Sequence, residues 1–225
     1  MSTFHHVYNM KHIYIEGVLG AGKSSLLGNI SGFKVDNIES LIPIPEPVHD
    51  FTSLQSTSHS STTLNPLKLY KNNKSESLAC QLHILQVYKN QTKKINNSKK
   101  ENSVCVWDRG MSSTLVFAKS MKRLNYLSEL EFEIFVAYFN EAVTNSCVSP
   151  SSIIFLDTPI ETCIERLQIR NHDYDEINLE YLTILRHEYI QSLNHLNCRV
   201  QIITEENLEL NKLTQIVFNE IQYVV

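Results

Sequence analysis

The sequence predicts an α/β fold with a five-stranded parallel sheet flanked by helices, and three observations lead to this fold class. Short apolar runs alternate with longer amphipathic segments, which is typical of strand–helix units. Most of the runs are continuously apolar, as expected of parallel strands that are buried on both faces. A glycine-rich turn joins the first run to the first amphipathic segment. The predicted strands are His12–Glu16, Leu41–Pro45, Val104–Asp108, Ile153–Leu156 and Val200–Ile203.

Apolar residues that recur every three or four positions predict the helices. One such stripe contains Leu127, Leu130, Ile134, Phe135 and Tyr138. The predicted helices are Ser24–Ile30, Ser77–Thr92, Leu127–Tyr138, Ile160–Leu167, Asn178–Leu193 and Leu208–Gln222. Two polar segments, Phe51–Thr63 and Lys89–Asn102, are predicted to be mobile connections. We expect residues 1–225 to form one domain.

The composition argues against nucleic-acid polymers and membranes as partners. The formal net charge is −4, so no excess of positive charge attracts a polyanion. No run approaches the roughly 18 apolar residues that span a bilayer. The five scattered cysteines form no C-x-x-C pair, and they fit free thiols in a reducing compartment. The spacing of His5, His6 and His12 matches no zinc pattern. We therefore expect a cytoplasmic protein.

A phosphate-binding loop (P-loop) follows the first predicted strand. The residues Gly17-Val18-Leu19-Gly20-Ala21-Gly22-Lys23-Ser24 match G-x-x-x-x-G-K-[ST], and a helical pattern begins at Ser25. Backbone N–H groups and the helix N-terminus bind phosphates in such a loop. Lys23 is predicted to contact the β- and γ-phosphates, and Ser24 to offer its hydroxyl to Mg²⁺. A glycine turn that binds nothing fits this strand–turn–helix context less well.

A phosphate-binding loop does not by itself define a reaction. A GTPase would need N-K-x-D after a late strand, whereas Asn73-Lys74-Ser75-Glu76 lies too early and ends in glutamate. Asp108 ends the third strand and is followed by Arg109, not by the second acid usual in motor ATPases. A cation beside this carboxylate favours a site that handles a phosphoryl group and an alcohol together. A small-molecule kinase and a non-catalytic nucleotide-binding switch both remain open at this point.

An ordered series of motifs accompanies the phosphate-binding loop. Ile15-Glu16-Gly17 leads into it, Pro45-Glu46-Pro47-Val48 precedes Phe51, and Asp108-Arg109-Gly110 follows the third strand. This series resembles the deoxynucleoside kinases, which include cellular enzymes and herpesvirus-type thymidine kinases, and it runs from about residue 12 to residue 193. The resemblance implies transfer of the γ-phosphate of ATP, with Mg²⁺, to the 5′-hydroxyl of a deoxynucleoside, most of all thymidine. It also implies a homodimer.

Glu46 is the candidate for the group that receives the proton of the attacking alcohol. A carboxylate at the carboxyl end of a parallel strand points into the crevice where ligands bind, and it can accept a proton there. A solvated glutamate in a loop is equally consistent with the residues alone. The resemblance implies that Glu46 contacts the 5′-hydroxyl as a base, and that Phe51 lines the nucleobase pocket.

Gln81 is the candidate reader of the nucleobase. Gln81, Ile84 and Tyr88 lie on one helical face, and an amide offers both an acceptor and donors to a pyrimidine edge. From the residues alone an exposed glutamine is the better interpretation. The resemblance implies that Gln81 reads the base, and that Tyr70, eleven residues earlier, contacts the sugar 3′-hydroxyl.

The Asp108-Arg109-Gly110 element is implied to serve the metal and the acceptor. By resemblance Asp108 helps to place Mg²⁺ through water, and Arg109 holds the catalytic carboxylate and the 5′-oxygen. Gly110 departs from the serine or histidine of the family. Phe117 is expected to stack on the nucleobase, although its position implies a one-residue gap relative to the cellular enzymes. An exposed salt-bridging pair is the alternative for Asp108 and Arg109.

A lid is expected at about residues 166–177, closing over the phosphates. Two positions where the cellular enzymes often carry arginine hold Gln168 and His172 instead. Asp175 is implied to bind the 3′-hydroxyl of the sugar, and a helix-end charge cluster is the alternative for the segment. The arginines implied to contact the phosphates are Arg166 and Arg170.

Three further expectations come from the resemblance. The apolar helix Leu127–Tyr138 is the candidate dimer contact. The length and the Asp-Arg element are similar to viral members, in which case the location is the host-cell cytoplasm. The choice among thymidine, deoxycytidine and broad acceptance depends on the pocket around Ile84, Tyr88 and Phe117, and it stays open.

Overall fold

The structure, a computed structural model, describes residues 10–30, 35, 37–57, 62–98, 102–146, 148–175, 177–204 and 209–225. The strands are β1 (Lys11–Glu16), β2 (Ser40–Ile44), β3 (Leu54–Gln55), β4 (Thr63–Leu64), β5 (Ser103–Asp108), β6 (Ser152–Leu156) and β7 (Arg199–Ile203). The helices are α1 (Lys23–Ile30), α2 (Val48–Phe51), α3 (Pro66–Asn72), α4 (Ser77–Asn97), α5 (Ser113–Arg123), α6 (Glu129–Ser146), α7 (Ile160–Arg170), α8 (Leu179–Leu193) and α9 (Leu210–Val224).

Five strands form one parallel sheet in the order β2-β5-β1-β6-β7. In its register Ile13 of β1 pairs with Val106 on one side and with Ser152 on the other. Strands β5 and β6 are buried along their whole length, as their continuous apolar runs predict. The predicted five-stranded parallel sheet is confirmed, and each predicted strand agrees with the structure to within one residue at either end.

Two apolar clusters fill the interior of the described part of the chain. One joins the sheet to α1, α7, α8 and α9, with Ile15, Leu26 and Leu185 among its fully buried members. The other contains residues of all five helices from α2 through α6, and Tyr88 and Phe135 are buried in it. The first cluster therefore fixes the strand ends, and the second supports the helices that follow β2 and β5.

Helix α4 continues to Asn97, so the prediction that Lys89–Asn102 forms a mobile connection is wrong as far as the helix reaches. Tertiary contacts extend it: Gln91 Nε2 donates to the Pro45 carbonyl at 2.9 Å and Asn96 Nδ2 to the Ser146 carbonyl at 2.6 Å. Residues 99–101 lie outside the described ranges. Glutamine and lysine are good helix formers, and a polar composition alone does not end a helix.

The segment Phe51–Thr63 is also more ordered than the sequence predicts. Phe51 is the last residue of α2 and is buried in the second cluster. Leu54 and Gln55 pair antiparallel with Leu64 and Thr63. Residues 58–61 of this segment lie outside the described ranges. Helices α3 and α5 have no counterpart among the sequence predictions, and both contribute to the site described below.

Helix α6 divides its apolar residues between two faces, so the prediction of a single stripe is wrong. Phe135 is buried, whereas Leu130 is 71% exposed and Tyr138 56% exposed. Residues on either face of a helix recur every three or four positions, so periodicity alone does not distinguish the buried face from the exposed one. The exposed face is Leu130, Ile134 and Tyr138.

The described cysteines are free thiols, and Cys147 lies outside the described ranges. Within those ranges no helix is both long and apolar enough to cross a bilayer. No group of histidine, cysteine and acidic residues there has the arrangement of a metal site. His12 accepts a hydrogen bond from the Trp107 indole N–H at 3.1 Å, whereas His5 and His6 fall in the undescribed terminus.

Candidate active site

A cavity of about 770 Å³ opens at the carboxyl edge of the sheet, where β1, β2 and β5 end. Every predicted site residue lines this cavity except four, which lie directly behind its wall or in the loop backbone: Gly17, Val18, Ala21 and Asp108. The cavity is therefore the place where the donor-side and acceptor-side predictions meet. Its position agrees with the rule that open parallel sheets bind ligands beyond the carboxyl ends of their strands.

The phosphate-binding loop has the backbone that its glycines permit. Gly20 and Gly22 have φ values of +79° and +99°, a region that other residues adopt only with strain. A Cβ on Gly20 would lie 2.5 Å from the Cys163 carbonyl oxygen, so this glycine also allows close contact with α7. Thr158 Oγ1 donates to the Ala21 carbonyl at 3.0 Å and fixes the loop from the other side.

Lys23 is buried at the floor of the cavity, where its ammonium donates to the Val18 carbonyl at 2.9 Å. Burial lowers the pKa of Lys23 to about 8; the positive charge of Arg109 adds to this, and nearby carboxylates oppose it. A polyphosphate brings negative charge to this ammonium and would stabilise its protonated form. The site is thus suited to an anionic ligand.

Asp108 and Ser24 come together as the sequence predicts. Ser24 Oγ donates to Asp108 Oδ2 at 2.5 Å. Asp108 Oδ1 is buried and accepts no hydrogen bond from any described residue. Carboxylate and hydroxyl oxygens are the ligands that Mg²⁺ prefers, directly or through water. These residues therefore fit a magnesium site, and the alternative of an exposed Asp108–Arg109 pair is wrong because both side chains are buried.

Arg109 binds Glu46, the candidate base, from inside the protein. Its Nη1 donates to both Glu46 carboxylate oxygens at 2.8 Å, and its Nη2 donates to the Gly17 carbonyl at 3.1 Å. Tyr88 adds a donor to the same carboxylate at 3.3 Å. Glu46 is thus a fixed member of the site, and the alternative of a freely solvated loop glutamate is wrong. Tyr189, to which the sequence analysis gave no role, accepts from Arg109 Nε at 3.3 Å.

Arg109 has a left-handed backbone, with φ of +64°. This conformation costs a non-glycine residue about 1–2 kcal/mol, so neighbouring contacts must hold it. The structure explains why position 110 holds glycine and not the serine or histidine of the family: a Cβ there would lie 2.2 Å from Cε2 of Tyr14. The ring of Tyr14, buried in β1, fills the space that a side chain at position 110 would need.

The acceptor side of the cavity is built by α2, α3 and α4. Gln81 is buried, and its Oε1 accepts no hydrogen bond from any described residue. The interpretation of Gln81 as an exposed glutamine is therefore wrong. The rings of Phe51 and Tyr88 lie 5.4 Å apart, and Tyr70 is buried on the same wall. A buried amide oxygen among aromatic rings is a site for a ligand that donates a hydrogen bond.

Phe117 reaches the cavity from α5. The guanidinium carbon of Arg109 lies 5.2 Å from the centre of its ring, and the Tyr189 ring meets it edge-on at 6.3 Å. Stacking of a nucleobase on Phe117 stays a prediction. Helix α5 also brings Thr114 and Met121 to the cavity wall, and the sequence analysis missed both.

The predicted lid begins in α7 and contains two arginines with different partners. Arg166 Nη1 donates to the Gly20 carbonyl of the phosphate-binding loop at 3.3 Å. Arg170 donates to both carboxylate oxygens of Asp175, at 2.6 and 2.9 Å. Asp175 and Arg170 are thus bound to each other in this structure, a pairing that the sequence analysis did not predict. Their roles toward sugar and phosphate stay predictions.

A second contact fastens the lid to the acceptor side. Lys68 of α3 donates to the Asp173 carboxylate at 2.7 Å, and Lys71 donates to the Asp173 carbonyl at 2.9 Å. His172, which replaces an arginine of the cellular enzymes, hydrogen-bonds with Tyr174 at 2.9 Å. The segment therefore joins the two halves of the cavity.

The fold and this site define a P-loop phosphotransferase: a glycine turn for phosphates lies beside an acid suited to a metal and a carboxylate clamped by arginine. Comparison with known families gives the next step. Residues 13–224 match the deoxynucleoside kinase family, and the chain belongs to that family. It is an ATP-dependent kinase of deoxynucleosides.

Relatives in the family differ in the nucleoside that they are named for. The chain is 27% identical to deoxyadenosine kinase of Dictyostelium discoideum over 217 residues, which cover 92% of this chain and 77% of that protein. It is 26% identical to mitochondrial thymidine kinase 2 of Homo sapiens over 178 residues, 78% of this chain and 61% of that protein. A solved deoxyadenosine kinase from M. mycoides has the same fold, with a TM-score of 0.73, 20% identity and coverage of 94% of this chain and 99% of that one.

Proposed function

We propose that this deoxynucleoside kinase prefers thymidine as its acceptor. The observation that carries the proposal is the buried amide of Gln81, whose Oε1 accepts no hydrogen bond from any described residue. Thymine offers an N3–H donor beside its O4 acceptor. One amide satisfies both groups, because its oxygen accepts from N3–H while its NH₂ donates to O4.

The other polar groups of the cavity support this preference. Among the described lining residues the carboxylates are Glu46 and Asp175, and an arginine binds each of them. Adenine and cytosine carry an amino group with two protons, and Gln81 can accept only one of them. The second proton would face apolar side chains such as Ile84 and Met121, whereas the 5-methyl group of thymine suits an apolar wall.

The residues suggest a division of labour in the reaction. Lys23 and Arg166 would bind the triphosphate, and Arg109 would hold Glu46 so that its carboxylate accepts the proton of the 5′-hydroxyl. Because phosphoryl transfer is loose, orienting this hydroxyl matters more than strong basicity. Mg²⁺, held near Asp108 and Ser24, would neutralise charge on the β- and γ-phosphates. Tyr70 and Asp175 remain the candidates for the 3′-hydroxyl.

A substrate screen tests the proposal. The purified protein is supplied with Mg-ATP and thymidine, deoxycytidine, deoxyadenosine or deoxyguanosine, and labelled 5′-monophosphate and ADP are both measured. We expect the highest kcat/KM for thymidine. Thymidine monophosphate is included as an acceptor, because its phosphorylation would favour a different small-molecule kinase, one that acts on nucleoside monophosphates. The absence of ADP formation with every acceptor would favour the non-catalytic nucleotide-binding switch.

Deoxyadenosine is the second candidate acceptor. It is favoured by the similarity to a deoxyadenosine kinase over 92% of this chain. A higher kcat/KM for deoxyadenosine than for thymidine would overturn the thymidine preference. The variant Gln81→Glu sharpens the comparison, since a carboxylate accepts from N3–H but repels O4; we expect thymidine to lose about tenfold or more in kcat/KM.

We also propose that the protein is a homodimer through the exposed face of α6. Leu130 and Tyr138 expose more than half of their surface there, and Ile134 lies between them. Exposed apolar patches of this kind mark interaction sites. Sedimentation of wild-type protein and of Ile134→Glu tests the proposal: we expect a dimer that the substitution dissociates. A wild-type monomer at micromolar concentration would contradict it.

A further inference from the structure

Glu16, the last residue of β1, is a buried carboxylate to which the proposed mechanism gives no part. It is 2% exposed and lies beneath the catalytic residues. Its Oε1 accepts from the Gly110 N–H at 3.0 Å, and its Oε2 accepts from the Ser113 hydroxyl at 2.5 Å. Both contacts fall in the turn that follows β5, on either side of Met111 and Ser112. Burying a charged group costs free energy unless the group is paired or hydrogen-bonded, so we ask what these contacts of Glu16 stabilise.

One reason lies before the turn. The Arg109 N–H donates to the Ile15 carbonyl at 3.1 Å, which is the last bond between β1 and β5. The next N–H, that of Gly110, goes to the Glu16 side chain instead of to a strand carbonyl. Between these two anchors Arg109 takes its left-handed conformation. Glu16 thereby fixes the direction in which the Arg109 guanidinium leaves the backbone, toward Glu46.

The other reason lies after the turn. Helix α5 starts at Ser113, and the preceding Ser112 makes no side-chain capping bond. Glu16, which belongs to the strand β1, supplies this helix N-terminus with a hydrogen-bond acceptor and a negative charge. Both are favourable at a helix N-terminus. The helix then carries Thr114 and Phe117 to the cavity. A single carboxylate thus anchors both the arginine that holds Glu46 and the helix that lines the cavity.

The contacts require an acceptor at both oxygens. The partners are an N–H and an O–H, and an ionised carboxylate accepts from each. Burial raises the pKa of Glu16, while the hydrogen bonds from Ser113 and Gly110 and the charges of Arg109 and Lys23 lower it. An amide in its place would keep the size but lose the negative charge, and its NH₂ group could no longer accept from the Ser113 hydroxyl.

We propose that Glu16 is a positioning residue for phosphoryl transfer: it fixes the turn from Arg109 to Ser113, and through that turn it places Arg109 against Glu46. The inference rests on the kinase activity but not on the choice of nucleoside. Every assay therefore uses whichever of the four deoxynucleosides the wild-type protein phosphorylates fastest. A failure of the thymidine preference leaves the test intact.

The first experiment compares Glu16→Gln with Glu220→Gln. Glu220 is the matched control, because it is equally buried, accepts from the Ser152 hydroxyl and Arg199, and lies away from the cavity. The measurements are the melting temperature, the affinity for Mg-ATP, and kcat and KM for the acceptor. We expect both variants to melt earlier. Only Glu16→Gln should lose kcat, by about tenfold or more, with the affinity for Mg-ATP changed by less than about threefold.

The second experiment asks whether Glu16 acts through Arg109. If it does, Glu16→Gln should add little to Arg109→Lys, so that the double variant has the kcat of Arg109→Lys to within about twofold. Losses that multiply would overturn the proposal. So would wild-type kcat in Glu16→Gln, or an equal loss in Glu220→Gln. If Glu16→Gln does not fold, Glu16→Asp replaces it, because the shorter carboxylate keeps the charge but does not reach both partners: a kcat loss of about threefold supports the proposal, and an unchanged kcat overturns it.

Discussion

Two regions of the molecule hold charged residues over the same cavity, and they do so in opposite ways. At the strand ends Arg109 is 3% exposed and makes four hydrogen bonds to Glu46, Gly17 and Tyr189. In the lid the side chain of Arg170 is 41% exposed and binds Asp175 alone among the described residues, and the Asp175 side chain is 4% exposed. The bridge from Lys68 to Asp173 is more exposed still, at 53% and 61%.

The difference teaches which contacts can be exchanged during a reaction. A buried charge that loses its partner is strongly destabilised, so the pair of Arg109 and Glu46 has to persist through the cycle. An exposed ion pair contributes little, because water replaces it at small cost. Arg170 is partly exposed, but the Asp175 side chain is buried, with 4% of its surface exposed, so Arg170 can leave for a phosphate only if another donor, such as a sugar hydroxyl, binds Asp175 in its place. We therefore expect the strand ends to keep their contacts, and the exposed Lys68–Asp173 bridge to be the lid contact that water can replace.

The largest effect should come from the fixed region. Glu46→Gln keeps the size of the side chain, but it removes the acceptor of the 5′-hydroxyl proton and one of the two oxygens that Arg109 Nη1 holds, so kcat should fall by about 10²–10⁴-fold. Calorimetric affinity for Mg-ATP should stay near the wild-type value, since Lys23 and the loop backbone are untouched. Asp175→Asn is the lid counterpart, and we expect it to lose much less kcat. Unchanged turnover in Glu46→Gln would remove this residue from the mechanism.

The next largest effect should appear in the pH dependence of Mg-ATP binding. With a pKa lowered to about 8, Lys23 loses its proton as the pH rises through that value in the protein without nucleotide. Binding Mg-ATP must then restore the proton, so the dissociation constant should rise above pH 8 by up to about tenfold per pH unit. Lys23→Arg stays charged and should show no such rise. A flat wild-type profile, or an equal slope in both proteins, would contradict this assignment.

Adding a single carbon atom to the turn that carries Arg109 should destabilise the fold. Gly110→Ala places a Cβ against the buried Tyr14 ring, and we expect it to destabilise the fold by about 1–3 kcal/mol in chemical denaturation. Tyr14→Leu in the same chain should recover part of the loss. Gly28→Ala is the control, because its Cβ would meet nothing within 4 Å in helix α1, and it should stabilise by about 0.4–1 kcal/mol. Equal destabilisation by both alanines would refute the steric explanation.

The smallest effect belongs to the lid surface. Lys68→Ala removes an exposed bridge to Asp173, and kcat should change by less than about twofold. The measurement is steady-state kinetics beside a variant of another exposed lysine pair, Lys122→Ala, whose partner Glu129 lies outside the cavity. A large loss in Lys68→Ala alone would break the comparison, since an exposed lid contact would then matter as much as a buried one.

The sheet and the phosphate side could be predicted from the sequence because their signals are local. Continuous apolar runs fix strands that are buried on both faces, and the loop Gly17–Ser24 is a contiguous motif. Glu46 and Arg109 each lie just after the carboxyl end of a strand, and the carboxyl ends of parallel strands meet at one edge of the sheet. Gln81 was placed by resemblance, and the structure buries it in the same cavity.

The remaining features depend on contacts between distant positions. Ser113 and Glu16 are 97 residues apart, and Arg109 and Tyr189 are 80 apart, so no window of the sequence shows either pair. The same holds for the far end of α4, which Asn96 fastens to Ser146. Glu16 did leave one signal, a charged residue between the apolar run Ile13–Ile15 and the phosphate-binding loop.

The order of the strands has a consequence for how this enzyme can change over evolution. The phosphate-binding loop leaves the central strand β1, whereas Glu46, Phe51, Tyr70 and Gln81 all follow the edge strand β2, which has a single neighbour. These residues therefore lie in one continuous stretch of the chain. Grafting that stretch from a relative should transfer the part of nucleoside selectivity that Tyr70 and Gln81 carry, while Phe117 and Met121 of α5 and the binding of ATP stay those of the recipient.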